Sequence, residues 1–99
     1  MTIDEVKIKI APVMRAHGIK YAGVFGSIAR GEDRAESDVD LLVRLGETMS
    51  LTEYIGFRDE LAHALGRDVD VVTEKSLNEY FKPHILPEVR AVYHEENEK

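Results

Sequence analysis

The stretch GSIARGEDRAESDVDLL, residues 26–42, places a glycine-serine turn ten residues ahead of two aspartates that are separated by one valine. Successive side chains of a strand point to opposite faces, so Asp38 and Asp40 are expected on the same face, about 7 Å apart. Two carboxylates that face one spot raise each other's pKa unless a cation lies between them. Mg²⁺ suits such a pair because it prefers oxygen ligands and completes its shell with water and substrate phosphates. The aspartate pair therefore predicts a magnesium site.

The turn ahead of the aspartates supplies groups that bind phosphate. Glycine at position 26 lets the backbone approach a ligand closely, and a helix starting at Ser27 would offer a hydroxyl and unpaired N–H groups. Arg30 lies one turn further on and Arg34 lies in the following loop. Either guanidinium could neutralise a polyphosphate. Residues 26–34 thus predict an anion cradle beside the metal ligands.

A second acidic pair, Asp68 and Asp70, opens a later apolar run. Whichever of them faces Asp38 and Asp40 would complete a cluster of three carboxylates. Three carboxylates can hold two metal ions, which activate an attacking oxygen and stabilise a leaving group in phosphoryl-type transfer. A Gly-Ser turn or an alternating Asp pair is individually common in turns and edge strands. At average residue frequencies, however, the combination arises by chance in roughly one chain per thousand of this length.

Apolar periodicity predicts that helices and strands alternate along the chain. Two longer helices, at 2–18 and 50–66, begin with the capping-box spacings Thr2 to Glu5 and Ser50 to Glu53. In the first helix, Pro12 and an alternating apolar pattern leave a kink or a strand open. Three short apolar runs predict strands, at 20–27, 39–45 and 67–73. The predicted apolar face of the second helix consists of Leu51, Tyr54, Ile55, Leu61, Ala62 and Leu65.

Shorter helices are predicted between and after these elements. One begins at Ser27, and another begins with the spacing Ser76 to Glu79 before Pro83 interrupts it. A last short helix is predicted from Pro87, and the polar tail 94–99 is expected to fray. Together the elements predict the α/β (α+β) class, a small sheet with flanking helices, in a single domain spanning residues 1–99.

Composition narrows the classes of function. The chain has 13 Lys and Arg against 19 Asp and Glu, and no long block of like charge, so no direct nucleic-acid binding is expected. It contains no cysteine, which excludes disulfides, thiolate metal sites and a cysteine nucleophile. No apolar run approaches the roughly 20 residues that span a bilayer, and no secretory signal is evident. A cytoplasmic location without membrane contact is therefore expected.

These residues resemble the nucleotidyltransferase superfamily related to DNA polymerase beta, whose signature is a GS turn followed by a DxD pair. The short length and the segments FGSIARGE, SDVDLLV and YFKPHILPEV are similar to the minimal nucleotidyltransferases (MNT), the antitoxins of MNT/HEPN toxin-antitoxin pairs. The third acid of that family lies inside a strand resembling vDvv, which favours Asp70 over Asp68. The resemblance implies a nucleotidyltransferase fold, catalytic and metal-binding roles for Asp38, Asp40 and Asp70, and triphosphate contacts from Gly26, Ser27 and Arg30.

The resemblance also implies an activity and a partner. The expected reaction is metal-dependent transfer of AMP from ATP, with two Mg²⁺ ions, to a tyrosine of a cognate HEPN ribonuclease toxin, which silences the toxin. Two alternatives remain open: an antitoxin that acts by binding alone, and a nucleotidyltransferase that modifies a small molecule. The small-molecule alternative is the weaker, because such enzymes need additional chain to build an acceptor pocket.

Overall fold

The fold, described by a computed structural model for residues 1–34, 36–77, 79 and 81–95, is built on a mixed β-sheet. Within these residues the sheet has four strands in the order β3-β2-β1-β4. Strand β1 is antiparallel to both β2 and β4, whereas β2 and β3 are parallel. The strands are β1 Tyr21–Phe25, β2 Val39–Arg44, β3 Val69–Thr73 and β4 Arg90–His94. The α/β (α+β) class and the small mixed sheet are thereby confirmed.

Two helices cover one face of this sheet. Helix α1, Ile3–Ala16, packs against β4 and against helix α2, Leu51–Leu65, which also contacts β3. Their apolar side chains join the inward side chains of the strands in one core. No helix in the described part of the chain is both long and apolar enough to cross a bilayer.

Helix α1 begins at the predicted capping box. The Thr2 hydroxyl accepts from the Glu5 backbone N–H at 3.1 Å, and the Glu5 carboxylate accepts from the Thr2 N–H at 2.8 Å. The helix runs through Pro12, so the strand alternative is wrong. Pro12 is exposed, and the hydrogen bond that it cannot donate is therefore missing from the solvent side of the helix. The buried positions recur every four residues, at Val6, Ile10 and Met14.

Helix α2 also has both of its predicted ends. The Ser50 hydroxyl and the Glu53 carboxylate form the reciprocal capping box, and Gly66 closes the helix with a left-handed φ of 71°. The Tyr54 hydroxyl donates to the Val71 carbonyl at 2.8 Å, which fastens the helix to β3.

The predicted apolar face of α2 is partly wrong. Leu51 and Ile55 are 75% and 43% exposed, whereas Phe57, which the prediction omitted, is fully buried. The buried stripe continues from Phe57 to Leu61 and Leu65 at four-residue spacing. Ile55 lies about a third of a turn around the helix axis from the middle of that stripe, so it faces solvent.

The short helix of one or two turns predicted from Ser27 is wrong, because this segment forms turns and no regular helix. Residues 26–31 form hydrogen-bonded turns, in which the Arg30 N–H donates to the Gly26 carbonyl at 3.1 Å. Gly31 has a φ of 74°, a left-handed conformation that ends the turn before a helix can develop.

The C-terminal part of the prediction needs the largest correction. The helix expected from Pro87 is absent, because the chain makes a 3-10 turn at Leu86–Glu88 and then enters strand β4. β4 pairs with β1, and Val92 is buried in the core beneath it. The β-branched and aromatic residues of this segment suit a strand, and the free edge of β1 supplies a partner.

The segment between β3 and β4 also differs from the prediction. Ser76 does not cap a helix; it ends a 3-10 turn, Glu74–Ser76, whose cap is the Thr73 hydroxyl. A four-residue helix, α3, follows at Lys82–Ile85. The rest of the helix predicted after Ser76, at positions 78 and 80, lies outside the described residues. The prediction that the tail 94–99 frays is wrong for its first two residues, since His94 belongs to β4 and the Glu95 N–H donates to the Lys20 carbonyl at 3.0 Å. The tail residues 96–99 lie outside the described residues.

Candidate active site

The sheet register brings two of the predicted carboxylates together. Asp40 of β2 is the direct partner of Asp70 in the parallel pairing with β3, where neighbouring strands lie about 4.8 Å apart. The residues on either side of Asp40, Val39 and Leu41, are buried in the core against the helices. Asp40 and Asp70 therefore project from the opposite face of the sheet, which the two long helices leave uncovered. Asp38 lies two residues before Asp40, just ahead of β2.

The pKa of Asp40 records how these groups surround it. Partial burial raises the Asp40 pKa, the nearby charges of Asp70 and Asp38 raise it further, and Arg30 opposes the rise. Asp68 does not share this position: it precedes β3, and its backbone carbonyl accepts from the Val39 N–H at 3.0 Å. Of the second acidic pair, the register thus sets Asp70 beside Asp40.

The glycine turn approaches Asp40 from β1. Gly26 has a φ of 75°, and a Cβ at this position would overlap Oδ2 of Asp40 and lie 3.1 Å from its Cγ. The preceding residue, Phe25, is the partner of Asp40 in the antiparallel pairing of β1 with β2. Only glycine leaves room for the Asp40 carboxylate against this turn. Half-buried Ser27 follows directly.

Arg30 faces the same region and is held there by two carboxylates. Its Nε donates to Glu32 at 2.9 Å, and its Nη1 donates to both oxygens of Glu88 at 3.2 Å. The Gly26 backbone N–H also donates to Glu88, at 3.3 Å. The anion-binding donors predicted from the sequence therefore contact an anionic side chain of the protein itself.

Glu88 is a site residue that sequence reasoning missed. It lies within the segment YFKPHILPEV that carried part of the family resemblance, but no spacing relates it to the glycine turn. Its position depends on β4 pairing with β1, and the predicted helix from Pro87 concealed that pairing.

An ion pair also missed by the sequence reasoning anchors the loop between the turn and β2. The Arg67 guanidinium donates to both oxygens of Asp33, at 2.6 and 2.7 Å, and to the Ser37 carbonyl at 3.3 Å. Both partners are nearly buried, with 12% and 11% of their side chains exposed. The Arg67 hydrogen bonds hold the pKa of Asp33 far below its usual range. Arg67, two positions ahead of β3, thus holds Ser37, the residue before Asp38.

The three predicted metal ligands are carboxylates, and their arrangement bears on the predicted Mg²⁺ site. Among the described residues, no three acidic or histidine side chains are arranged to hold a metal ion. The donor chemistry nevertheless fits Mg²⁺, since Asp38, Asp40 and Asp70 offer only carboxylate oxygens. Burial raises the pKa of Asp40 most, and the charges of Asp70 and Asp38 raise it further; a bound cation would relieve the part that comes from these charges. Metal binding stays a prediction for these three residues.

Comparison with known proteins identifies the family. The profile of the family described as "Polymerase beta, Nucleotidyltransferase" matches residues 8–98. The chain therefore belongs to the polymerase beta nucleotidyltransferase family and is an enzyme of the nucleotidyltransferase class, which confirms the resemblance drawn from the sequence.

Two relatives make the class more specific. The protein adenylyltransferase MntA of Thermococcus cleftensis is 35% identical over 97 residues, which cover 90% of this chain and 94% of that protein. A protein of Methanocaldococcus jannaschii, whose name assigns it the same activity provisionally, is 44% identical over 88 residues. That alignment covers 89% of this chain and 95% of the relative.

Two solved structures share the fold. A chain of a toxin-antitoxin complex with AMP-PNP superimposes with a TM-score of 0.77 at 23% identity, covering 90% of this chain and 73% of that chain. A chain from the complex of the tri-AMPylated Shewanella oneidensis HEPN toxin with its MNT antitoxin gives a TM-score of 0.71 at 20% identity. It covers 95% of this chain and 74% of its own length. These likenesses establish the nucleotidyltransferase fold.

Proposed function

We propose that this chain is an antitoxin that transfers AMP from ATP to a tyrosine of a cognate HEPN toxin and thereby neutralises it. The observation that carries the proposal is the pairing of Asp40 with Asp70 across the β2-β3 register, beside a turn where a glycine leaves room for the Asp40 carboxylate. Carboxylates adjoining a phosphate-binding turn are the groups that nucleotidyl transfer needs. The relatives named protein adenylyltransferases support a protein as the acceptor.

The phosphate cradle, defined as Gly26, Ser27 and Arg30, binds the triphosphate of ATP. The Gly26 N–H and the Arg30 guanidinium are donors, and the Ser27 hydroxyl adds a third. Arg30 is favoured over Arg34 because its charge acts directly on Asp40. These contacts fix the α-phosphorus in position relative to the aspartates, and positioning of this kind supplies much of the rate in phosphoryl-type transfer.

Asp38, Asp40 and Asp70 would hold two Mg²⁺ ions. When bound, Mg²⁺ neutralises the phosphate charges and stabilises the departing pyrophosphate. Asp70 is more exposed than Asp40, its partner across the register, and it accepts the proton of the incoming tyrosine hydroxyl. The tyrosine oxygen forms a bond to the α-phosphorus as the bond between that phosphorus and the pyrophosphate oxygen breaks, leaving an AMP ester on the toxin.

The exposed position of Asp70 suits a macromolecular acceptor. The aspartates project from the face opposite α1 and α2, so a tyrosine on a partner can reach them without entering an enclosed pocket. The net charge of −6 also complements a basic partner electrostatically.

The test is AMP transfer by Asp40→Asn to the proposed HEPN toxin, with Asp59→Asn as the matched control. Asp59 is an exposed carboxylate on α2, away from the open face. Mass spectrometry of the HEPN protein after incubation with ATP and Mg²⁺ should show AMP on tyrosine with wild type and Asp59→Asn and none with Asp40→Asn.

Two outcomes would contradict the proposal. Full transfer by Asp40→Asn would exclude the assigned role of that carboxylate. No transfer by wild type, combined with equal neutralisation of the toxin by wild type and Asp40→Asn, would identify an antitoxin that acts by binding alone.

A further inference from the structure

Glu88 ends the 3-10 turn Leu86–Glu88, two residues ahead of β4, and its carboxylate contacts two donors of the phosphate cradle. The Gly26 N–H donates to Oε1 at 3.3 Å, and Nη1 of Arg30 donates to both carboxylate oxygens at 3.2 Å. A backbone N–H and a guanidinium that converge on one anion form the kind of arrangement that binds a phosphate oxygen. Glu88 supplies that anion from within the chain.

The surroundings of Glu88 indicate that this contact can be exchanged. Its side chain is 35% exposed, so the carboxylate can turn into solvent without unpacking the core. In its present position it adds a negative charge near Asp40, a partly buried carboxylate that the charges of Asp70 and Asp38 already repel. Arg30 opposes this repulsion, and release of Glu88 into solvent would remove one of the negative charges near Asp40.

We propose that Glu88 is a built-in competitor of the nucleotide, whose carboxylate occupies the phosphate cradle of the free protein and leaves it when the triphosphate binds. This inference rests on the proposed function, because it takes the cradle to be the triphosphate site. In the free protein Glu88 holds Arg30 against the glycine turn. ATP must displace the Glu88 carboxylate to bind, and the free energy that this costs lowers the affinity for ATP. The exchange also links nucleotide binding to the segment that precedes β4.

The test compares Glu88→Gln and Glu88→Ala with Glu32→Gln. Glutamine keeps an acceptor of the same shape without the charge, whereas alanine removes the group from the cradle. Glu32 is the matched control because it is also a carboxylate on Arg30, but it contacts Nε and not the Gly26 N–H. Calorimetric titration with ATP in the presence of Mg²⁺ measures the triphosphate site, and titration with adenosine measures the remainder of the nucleotide site.

Both Glu88 variants should bind ATP about tenfold more tightly than wild type, the equivalent of one charge-assisted hydrogen bond that no longer has to be broken. Adenosine affinity should stay unchanged, and Glu32→Gln should alter ATP affinity much less. Thermal melts of the same proteins show whether each variant is folded, and Glu88→Gln serves alone if the alanine variant is not.

Several results would overturn the inference. Unchanged ATP affinity in Glu88→Gln would mean that the carboxylate does not compete with phosphate, and weaker affinity would make Glu88 a support of the bound nucleotide or its metal. An equal gain in ATP affinity for Glu32→Gln would show that removing any carboxylate near Arg30 has this effect, and that Glu88 is not a specific competitor. In each of these cases wild type still binds ATP and the proposed function stands; failure of every protein to bind ATP would overturn both proposals.

Discussion

Substitution of Gly26 by alanine tests the close approach on which the candidate site depends. Gly26 has a φ of 75°, which costs a residue with a side chain about 1 kcal/mol. Its new Cβ would also overlap Oδ2 of Asp40, so the carboxylate must take another rotamer at a further cost of about 1 kcal/mol. Gly18 provides the control, since its φ of 67° is similar but a Cβ there meets no atom within 4 Å.

The two alanine variants should therefore differ in stability and in activity. For a domain of this size, 1 kcal/mol corresponds to a shift of roughly 5 °C in the melting temperature. Gly18→Ala should melt roughly 5 °C below wild type with transfer intact, and Gly26→Ala roughly 10 °C below with transfer lost. Circular dichroism melts without metal, together with mass spectrometry of the proposed HEPN partner, measure both effects.

A double-mutant cycle attributes the additional loss to Asp40. In an Asp40→Ala background the overlapping carboxylate is absent, so Gly26→Ala should cost no more than Gly18→Ala does. If Gly26→Ala and Gly18→Ala lose the same stability in the wild-type background and both retain transfer, the turn does not press on Asp40 and the cradle is incorrectly assigned.

Two further predictions concern charge. Asp70→Asn should leave the metal-free melting temperature unchanged or raised and should abolish transfer, because it removes repulsion from Asp40; Mg²⁺ with ATP should stabilise wild type much more than the variant. A strongly destabilised Asp70→Asn would make Asp68 the better third carboxylate. Asp33→Asn should lower the free energy of unfolding by about 2 kcal/mol at pH 7 by weakening the hydrogen-bonded pair with Arg67. Because the fold lowers the Asp33 pKa, this stabilisation is complete above the ordinary value of about 3.9 and declines as pH falls below it. Urea titrations that give a difference between wild type and Asp33→Asn independent of pH from 7 to about 2.5 would contradict that assignment.

Local signals explain what the sequence could predict. A capping box depends on residues three positions apart, so Thr2 and Ser50 located the starts of both long helices before any contact was known. The spacing of Gly26 from Asp38 and Asp40 likewise reflects one continuous turn, loop and strand. Each of these features is determined by a short stretch of chain.

Non-local pairing explains what the sequence could not. The choice between Asp68 and Asp70 depends on the register of β3 against β2, because a shift of one residue moves every side chain to the other face. The segment after Pro87 has a weak preference of its own and becomes a strand because β1 has a free edge. Glu88 reaches the cradle only as a consequence of that strand.

The sheet topology explains why these distant segments meet. Gly26 follows the C-terminal end of β1, whereas Asp40, Asp70 and Glu88 lie at or before the N-terminal parts of β2, β3 and β4. Because β1 is antiparallel to β2 and β4, and β2 is parallel to β3, those four strand ends lie at the same end of the sheet. Strand register, more than core volume, therefore determines the geometry of the site.

If the phosphate cradle binds the triphosphate as proposed, the same convergence of charges also affects nucleotide binding. Burial raises the pKa of Asp40 most, the charges of Asp70, Asp38 and Glu88 raise it further, and Arg30 opposes the rise. A free triphosphate would bring further negative charge to this end of the sheet, where Arg30 attracts it and the carboxylates repel it. Release of Glu88 from the cradle and neutralisation of the phosphates by bound cations both reduce that repulsion. Nucleotide affinity should therefore rise with Mg²⁺ concentration more steeply in wild type than in Asp40→Asn, which has one carboxylate fewer to neutralise.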